Sequence, residues 1–195
     1  MTDDVVLAER AYLAQIGVRL HPGEGGPSAV EAALGFALPA TPNTVAAGGG
    51  GRRALWLGPD EWLVVAEPGA EAALEVELAE ALAGGQLGSV VDLSCNRVAL
   101  DLRGPLAREV LAKGCALDLH PRAFGAGRCA QTLVARAQVI LDQLDDAPAF
   151  RLLVRPSFAD YLAAWLLDAI EESRASSRLS ASLRQRSVRA TSLNV

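Results

Sequence analysis

Ala54-Leu-Trp-Leu-Gly-Pro-Asp-Glu-Trp-Leu-Val-Val-Ala66 is the stretch on which the fold turns. Two apolar runs, 54–57 and 62–66, flank Gly58-Pro59-Asp60-Glu61. Proline presets the φ of a turn, and aspartate tolerates the tight conformations that follow. Two strand-like runs around such a turn predict a β-hairpin. Residues 70–83 come next, with Leu74, Leu78, Ala81 and Leu82 on one face at helical spacing and Glu71, Glu75 and Glu77 off it. Gly84-Gly85 then supplies a stop, because glycine accepts the left-handed conformation past a helix end.

Working outward, 15–20 reads as a strand, and Ser28 is expected to cap a short helix through about Phe36. On the other side, 89–93 and 98–102 predict a second hairpin turning at Ser94-Cys95-Asn96-Arg97. Gly104-Pro105 starts a helix with proline in its first turn. Residues 128–135, 137–144 and 149–154 are three further strands. Pro156-Ser157 opens a last helix, with Ser157 and Asp160 spaced as a capping box. Its expected apolar face is Phe158, Tyr161, Leu162, Trp165, Ala169 and Ile170. Paired strands followed by a helix, twice over, predict an α+β fold of antiparallel sheets with packed helices, not a doubly wound parallel sheet. Residues 1–172 form one module, which can divide into two interlocked halves at about 1–88 and 89–172. Residues 173–195, rich in Arg and Ser, are expected to be a disordered tail.

Composition narrows the function. The chain has 195 residues, 51% hydrophobic, of which 36 are Ala, and a net charge of −5. That excludes wholesale disorder and leaves enough apolar surface for a core or a partner. Five arginines and no acid give residues 173–195 a charge of +5, so 1–172, with 13 basic and 23 acidic residues, carries −10. An acidic body repels polyanions, so no nucleic-acid partner is expected. The longest apolar run, Tyr161 to Ile170, is broken by Asp168 and too short for a bilayer, and no membrane partner is expected. An acidic start without an apolar run argues against export, and three scattered cysteines, Cys95, Cys115 and Cys129, fit a reducing cytoplasm.

Four motifs in order carry a resemblance: Trp56-Leu57-Gly58-Pro59-Asp60-Glu61-Trp62-Leu63, Val91-Asp92-Leu93-Ser94, Leu102-Arg103-Gly104-Pro105 and Arg155-Pro156-Ser157-Phe158-Ala159-Asp160-Tyr161. Over about residues 15–172 the chain resembles the gamma subunit of heterotetrameric sarcosine oxidase. The first and last motifs are the specific ones; the other two are shared more widely with aminomethyltransferase-type folate-binding domains. The resemblance implies ferredoxin-like halves like those of that folate-binding domain. It also implies a cytoplasmic complex of alpha, beta, gamma and delta subunits that oxidatively demethylates sarcosine to glycine. In it the gamma subunit packs chiefly on alpha, while FAD, FMN, NAD, tetrahydrofolate and zinc belong to the partner subunits. The alternative is a stand-alone folate- or pterin-binding protein of the aminomethyltransferase type.

The residues themselves offer little catalytic machinery. His21 and His120 lie in Gly/Pro-rich or Pro-flanked loops outside any nucleophile motif. Cys115, His120 and Cys129 lack the close Cys pairs of a closed zinc site. The glycines at 48–51 and 84–85 match no phosphate-cradling or dinucleotide fingerprint. Neither a catalytic, a cofactor-binding nor a metal residue is therefore assigned. Trp56 and Trp62 can form an aromatic partner surface or anchor the core beneath the turn. Asp60 and Glu61 can meet a partner or stabilise the turn. Asp92, Asn96 and Arg97 can line a pocket inherited from a folate domain or bond local backbone. These seven residues are the candidate partner interface or vestigial pocket.

Overall fold

A computed structural model of the chain describes residues 5–21, 25–85 and 87–192, with side chains described as far as Leu179. The strands are β1 (Val6–Arg10), β2 (Ala14–Leu20), β3 (Val45–Ala47), β4 (Arg53–Gly58), β5 (Glu61–Ala66), β6 (Gly88–Asp92), β7 (Val98–Arg103), β8 (Cys129–Val134), β9 (Ala137–Asp145) and β10 (Ala149–Val154). The helices are α1 (Gly26–Leu34), α2 (Glu71–Leu82), α3 (Ala107–Ala112) and α4 (Pro156–Ser192). Two five-stranded antiparallel sheets result, in the orders β1-β7-β10-β9-β8 and β3-β4-β5-β2-β6. The α+β expectation holds.

Strand alternation builds the layers. In the second sheet Ala54, Trp62, Val64 and Ala66 pack with Val30 and Leu34 of α1 and with Leu74, Leu78 and Leu82 of α2. In the first sheet Leu100, Leu102, Leu141, Phe150 and Leu152 pack with Val110 and Leu111 of α3 and with Leu162, Leu166 and Ile170 of α4. The residues between them in sequence point the other way. Leu55, Leu63 and Val65 of one sheet meet Ala99, Cys129, Ile140 and Leu153 of the other. The order is helices, sheet, sheet, helices. Each fully buried Leu, Val or Phe contributes about 1.5–3 kcal/mol.

Several expectations are corrected. Residues 89–93 and 98–102 do not form a hairpin: β6 pairs with β2, whereas β7 lies between β1 and β10 in the other sheet. The segment 93–97 is a crossing between sheets, fastened where the Leu93 N–H donates to the Gln15 carbonyl at 2.7 Å. Helix α1 starts after Gly25 without a side-chain cap, because Ser28 already lies inside it. Pro156 is likewise already helical, so Ser157 is no cap residue. Phe158 and Tyr161 turn out to solvent, and the buried stripe of α4 is Leu162, Leu166, Ala169, Ile170 and Ser173.

Helix α4 does not end at 172 but runs on to Ser192. Its first extra turn is held where Ser173 is buried and Arg174 Nη2 donates to the Val5 carbonyl at 2.9 Å. Arg, Ala and Leu in this stretch are good helix formers. The side chains of Arg184, Arg186 and Arg189, and residues 193–195, lie outside the described residues. So do Pro22, Gly23 and Glu24 of the expected loop.

Candidate functional site

The β4–β5 hairpin holds four of the seven candidate residues. Trp56 and Trp62 face each other across the ladder, on the helix side of their sheet. Trp62 is 7% exposed, and its indole N–H donates to the Pro39 carbonyl at 2.9 Å. That bond satisfies the polar edge of a buried ring. Asp60 is exposed at the turn, where its carbonyl accepts the Leu20 N–H at 3.0 Å. It lines a shallow cavity of about 380 Å³ with Arg19, Leu20, His21 and Gly88. Glu61 pairs with Arg19 at 2.8 Å, directly across the strands.

The other three lie at the crossing. One Asp92 carboxylate oxygen accepts the Ser94 N–H at 2.8 Å and the Ser94 hydroxyl at 2.5 Å, and the Ser94 hydroxyl oxygen accepts the Gln15 N–H at 3.0 Å. Asp92 therefore shapes the crossing by local hydrogen bonds. The Asn96 N–H donates to the Leu93 carbonyl, closing the turn. The Arg97 carbonyl accepts the Gln15 side-chain amide at 3.0 Å. Its guanidinium reaches a different place, a cavity of about 90 Å³ shared with Arg155, Gln131 and Gln138 above Val139, Ile140 and Leu153. The seven residues thus do not converge on one cavity. Of the seven, Arg97 lines this cavity; Gln131 and Gln138 come from β8 and β9 positions that no local motif marks, and Arg155 lies just past β10, at the head of the last sequence motif.

A row of charged side chains crosses the buried face between the sheets. Arg53 of β4 donates to both Asp142 oxygens of β9, at 2.9 and 2.7 Å. Arg151 of β10 donates to both Asp101 oxygens of β7, at 2.8 and 3.1 Å, and Arg103 adds a bond at 3.0 Å. Burial works to raise the Asp101 pKa, but the bonds from Arg151 and Arg103 overcome it and leave this carboxyl below its ordinary value. For Asp142 burial wins over the Arg53 bonds, and its pKa lies above the ordinary value. Burial, then the nearby Asp142, push the Cys129 thiol up to about 12. A thiol in that state is no nucleophile near neutral pH. Cys115 is buried and Cys95 exposed. His120 lies on the surface, its ring Nδ1 accepting the Arg122 N–H at 3.2 Å. Among the described residues no group of three or more His, Cys, Asp or Glu could hold a metal ion, and no helix is long and apolar enough to cross a membrane.

Comparison with known proteins extends the fold to a family. The sequence profile described as "Sarcosine oxidase, gamma subunit family" matches residues 24–172. The chain is 45% identical over 168 residues to the sarcosine oxidase subunit gamma of Arthrobacter sp, covering 86% of this chain and 81% of that one. The corresponding subunit of Corynebacterium sp. (strain P-1) is also 45% identical over the same length, with the same coverage. Among solved structures, a chain of the heterotetrameric sarcosine oxidase from Corynebacterium sp. U-96, in complex with pyrrole 2-carboxylate, superposes with a TM-score of 0.81 at 43% identity. That match covers 88% of this chain and 87% of that one. The glycine cleavage system aminomethyltransferase T from Bartonella henselae superposes with a TM-score of 0.63 at 21% identity, covering 84% of this chain and 45% of that one, a likeness of fold alone. Over most of its length, then, the chain belongs to the sarcosine oxidase gamma subunit family.

Proposed function

We propose that this chain works as the gamma subunit of a heterotetrameric sarcosine oxidase, packing on the large alpha subunit and supporting oxidative demethylation of sarcosine to glycine. The observation that carries the reading is the TM-score of 0.81 at 43% identity to a chain of such a heterotetramer. In this reading FAD, FMN, NAD, tetrahydrofolate and zinc are held by the alpha, beta and delta subunits, and the complex is cytoplasmic. This chain contributes surface and shape. Its titratable groups fit that role: the buried carboxylates Asp101 and Asp142 are occupied by arginines, and Cys129 is held protonated.

Co-expression with the alpha, beta and delta subunits tests the reading. The chain is expected to co-purify with them, and omitting it to lower assembly and sarcosine-dependent oxygen uptake. A chain that neither co-purifies nor changes activity overturns the proposal. The alternative, a stand-alone folate-binding protein, is not favoured: its support is a likeness of fold at 21% identity. Calorimetry of the isolated chain with tetrahydrofolate is expected to show no saturable micromolar binding.

A further inference from the structure

Strand β7 runs antiparallel to β10 with Val98 opposite Val154 and Ala99 opposite Leu153. One step beyond the ladder, the same register sets Arg97 opposite Arg155. Ala99 and Leu153 point between the sheets, and side chains two residues apart on a strand share a face. The two guanidinium groups therefore stand side by side at the mouth of the space between the sheets. Like charges directly opposite one another on a sheet are destabilising, so the pair is a feature that function must explain.

The surroundings do not neutralise it. Neither arginine has an ion pair among the described residues, and Arg97 Nη1 is buried without a hydrogen-bond partner. Burial, and after it the Arg155 charge, pull the Arg97 pKa below its ordinary value; Glu61 acts in the opposite sense but is already paired with Arg19 at 2.8 Å. Gln131 and Gln138 line the cavity, and Gln131 sits directly across from Ile140 on its floor. The Gln131 amide is fixed by a bond to the Leu57 carbonyl of the opposite sheet at 3.1 Å. At about 90 Å³ the cavity has room for a carboxylate head and far too little for a nucleotide or a drug-sized ligand, which need about 300–1,000 Å³.

We propose that Arg97 and Arg155 form a socket for a carboxylate side chain, Asp or Glu, presented by a large subunit of the complex. The inference rests on the gamma-subunit reading above. Two arginines facing one cavity match a carboxylate, whose two oxygens accept from both. The rim favours a protein partner over a free ion. Arg97 also lines a second cavity of about 330 Å³ with Tyr12, Cys95 and Pro156. Tyr12 is 86% exposed and held at a φ of 58°, a left-handed conformation costly for a residue with a side chain. Phe158, one turn into α4 from Arg155, is 42% exposed. Exposed aromatics around a desolvated arginine are the usual make-up of an interface hot spot.

The test is co-expression of the full chain, wild type or carrying R97Q/R155Q or R155E, with the other subunits. Affinity is read by titrating the purified chain onto complex that lacks it. Both variants are expected to weaken association by about 30-fold or more, with R155E the stronger. Wild-type association should protect Cys95 from a thiol reagent. The melting temperature of the free variant chains should stay level or rise, since a repulsive pair has been removed. A drop in the melting temperature instead would mark the arginines as merely structural and overturn the proposal. R97Q/R155Q chains that associate as wild type also overturn it, while leaving the subunit reading intact. A wild-type chain that does not associate fails both. Acetate titrated onto the free chain separates the sources. Tight saturable binding, together with normal association of the variants, assigns the cavity to a free carboxylate and overturns the partner assignment.

Discussion

Removing Arg53 isolates the strongest link between the two sheets. Its guanidinium makes a bidentate pair with Asp142, whose side chain is 2% exposed. In Arg53→Met the arginine stem is roughly kept and the charge is lost, leaving a buried carboxylate without its cation. Breaking a buried pair from one side costs about 3–5 kcal/mol. The Arg53 side chain is 18% exposed, so water can partly replace it, which puts the expectation at about 3 kcal/mol. With a urea slope of about 2 kcal/mol/M, the unfolding midpoint falls by about 1.5 M. The double variant Arg53→Met/Asp142→Leu recovers most of the loss, because an ion pair replaced whole by apolar groups is close to neutral.

The pH dependence has a definite sign. The folded Asp142 pKa is already raised by burial, and losing Arg53 raises it further. A raised carboxyl is favourable when protonated and loses that contribution as pH rises through its folded pKa. The Arg53→Met deficit is therefore smaller at about pH 5 than at about pH 7. Urea unfolding of the four members of the cycle at both pH values is the assay. A single-variant cost below about 1 kcal/mol, or a double variant no more stable than the single, refutes the argument.

Three further outcomes are expected. Gly88→Ala should destabilise more than Gly17→Ala: a Cβ at Gly88 would sit 2.7 Å from the Arg19 carbonyl oxygen, whereas at Gly17 it meets, at the same distance, the tip of the Leu93 side chain, which can turn away. Denaturant midpoints decide this. Asp101 has a depressed pKa, so its contribution is present above the unfolded value and lost as pH falls through the folded one; thermal melts should show a stability loss below about pH 4 that Asp101→Asn, itself less stable at neutral pH, shows more weakly. Of the three thiols, Cys95 should react with Ellman's reagent in the native chain, while Cys115 and Cys129 react only on unfolding, as stopped-flow absorbance would record.

What the sequence made legible was what neighbouring residues decide. The β4–β5 hairpin follows from its own turn, and α2 and the β8–β9–β10 run follow from their own periodicity. Pairings between distant segments left no local trace. Strand β1, mostly exposed along its length, carries no alternation to read. β6 and β7 look like a hairpin because five residues separate them, yet their partners are β2 on one side and β1 and β10 on the other. Phe158 and Tyr161 fit an apolar stripe by spacing, but the stripe that meets the sheet runs through Ala159, Leu162, Leu166 and Ile170. For the candidate site, Arg97 was visible beside a turn. Gln131 and Gln138 were not, and Arg155, though it opens a motif, carried no sign that it meets Arg97: all three come to it through the register of the first sheet, which exists only once the fold does.

Strand β1 also sets an order of events during synthesis. It leaves the ribosome well before its partner β7, which lies some 90 residues later in the chain: Val6 pairs with Arg103 and Arg10 with Ala99. Strands β2 to β6 can complete their sheet in the meantime. β1 then waits as an unpaired edge, a template for the wrong strand until the right one arrives. Its register residues include Glu9 and Arg10, and charges on an unpaired edge discourage stray pairing. Strand β1 thus acts as a late fastener, tying the earlier-made half to the later one only when the β7–β10 sheet is under construction.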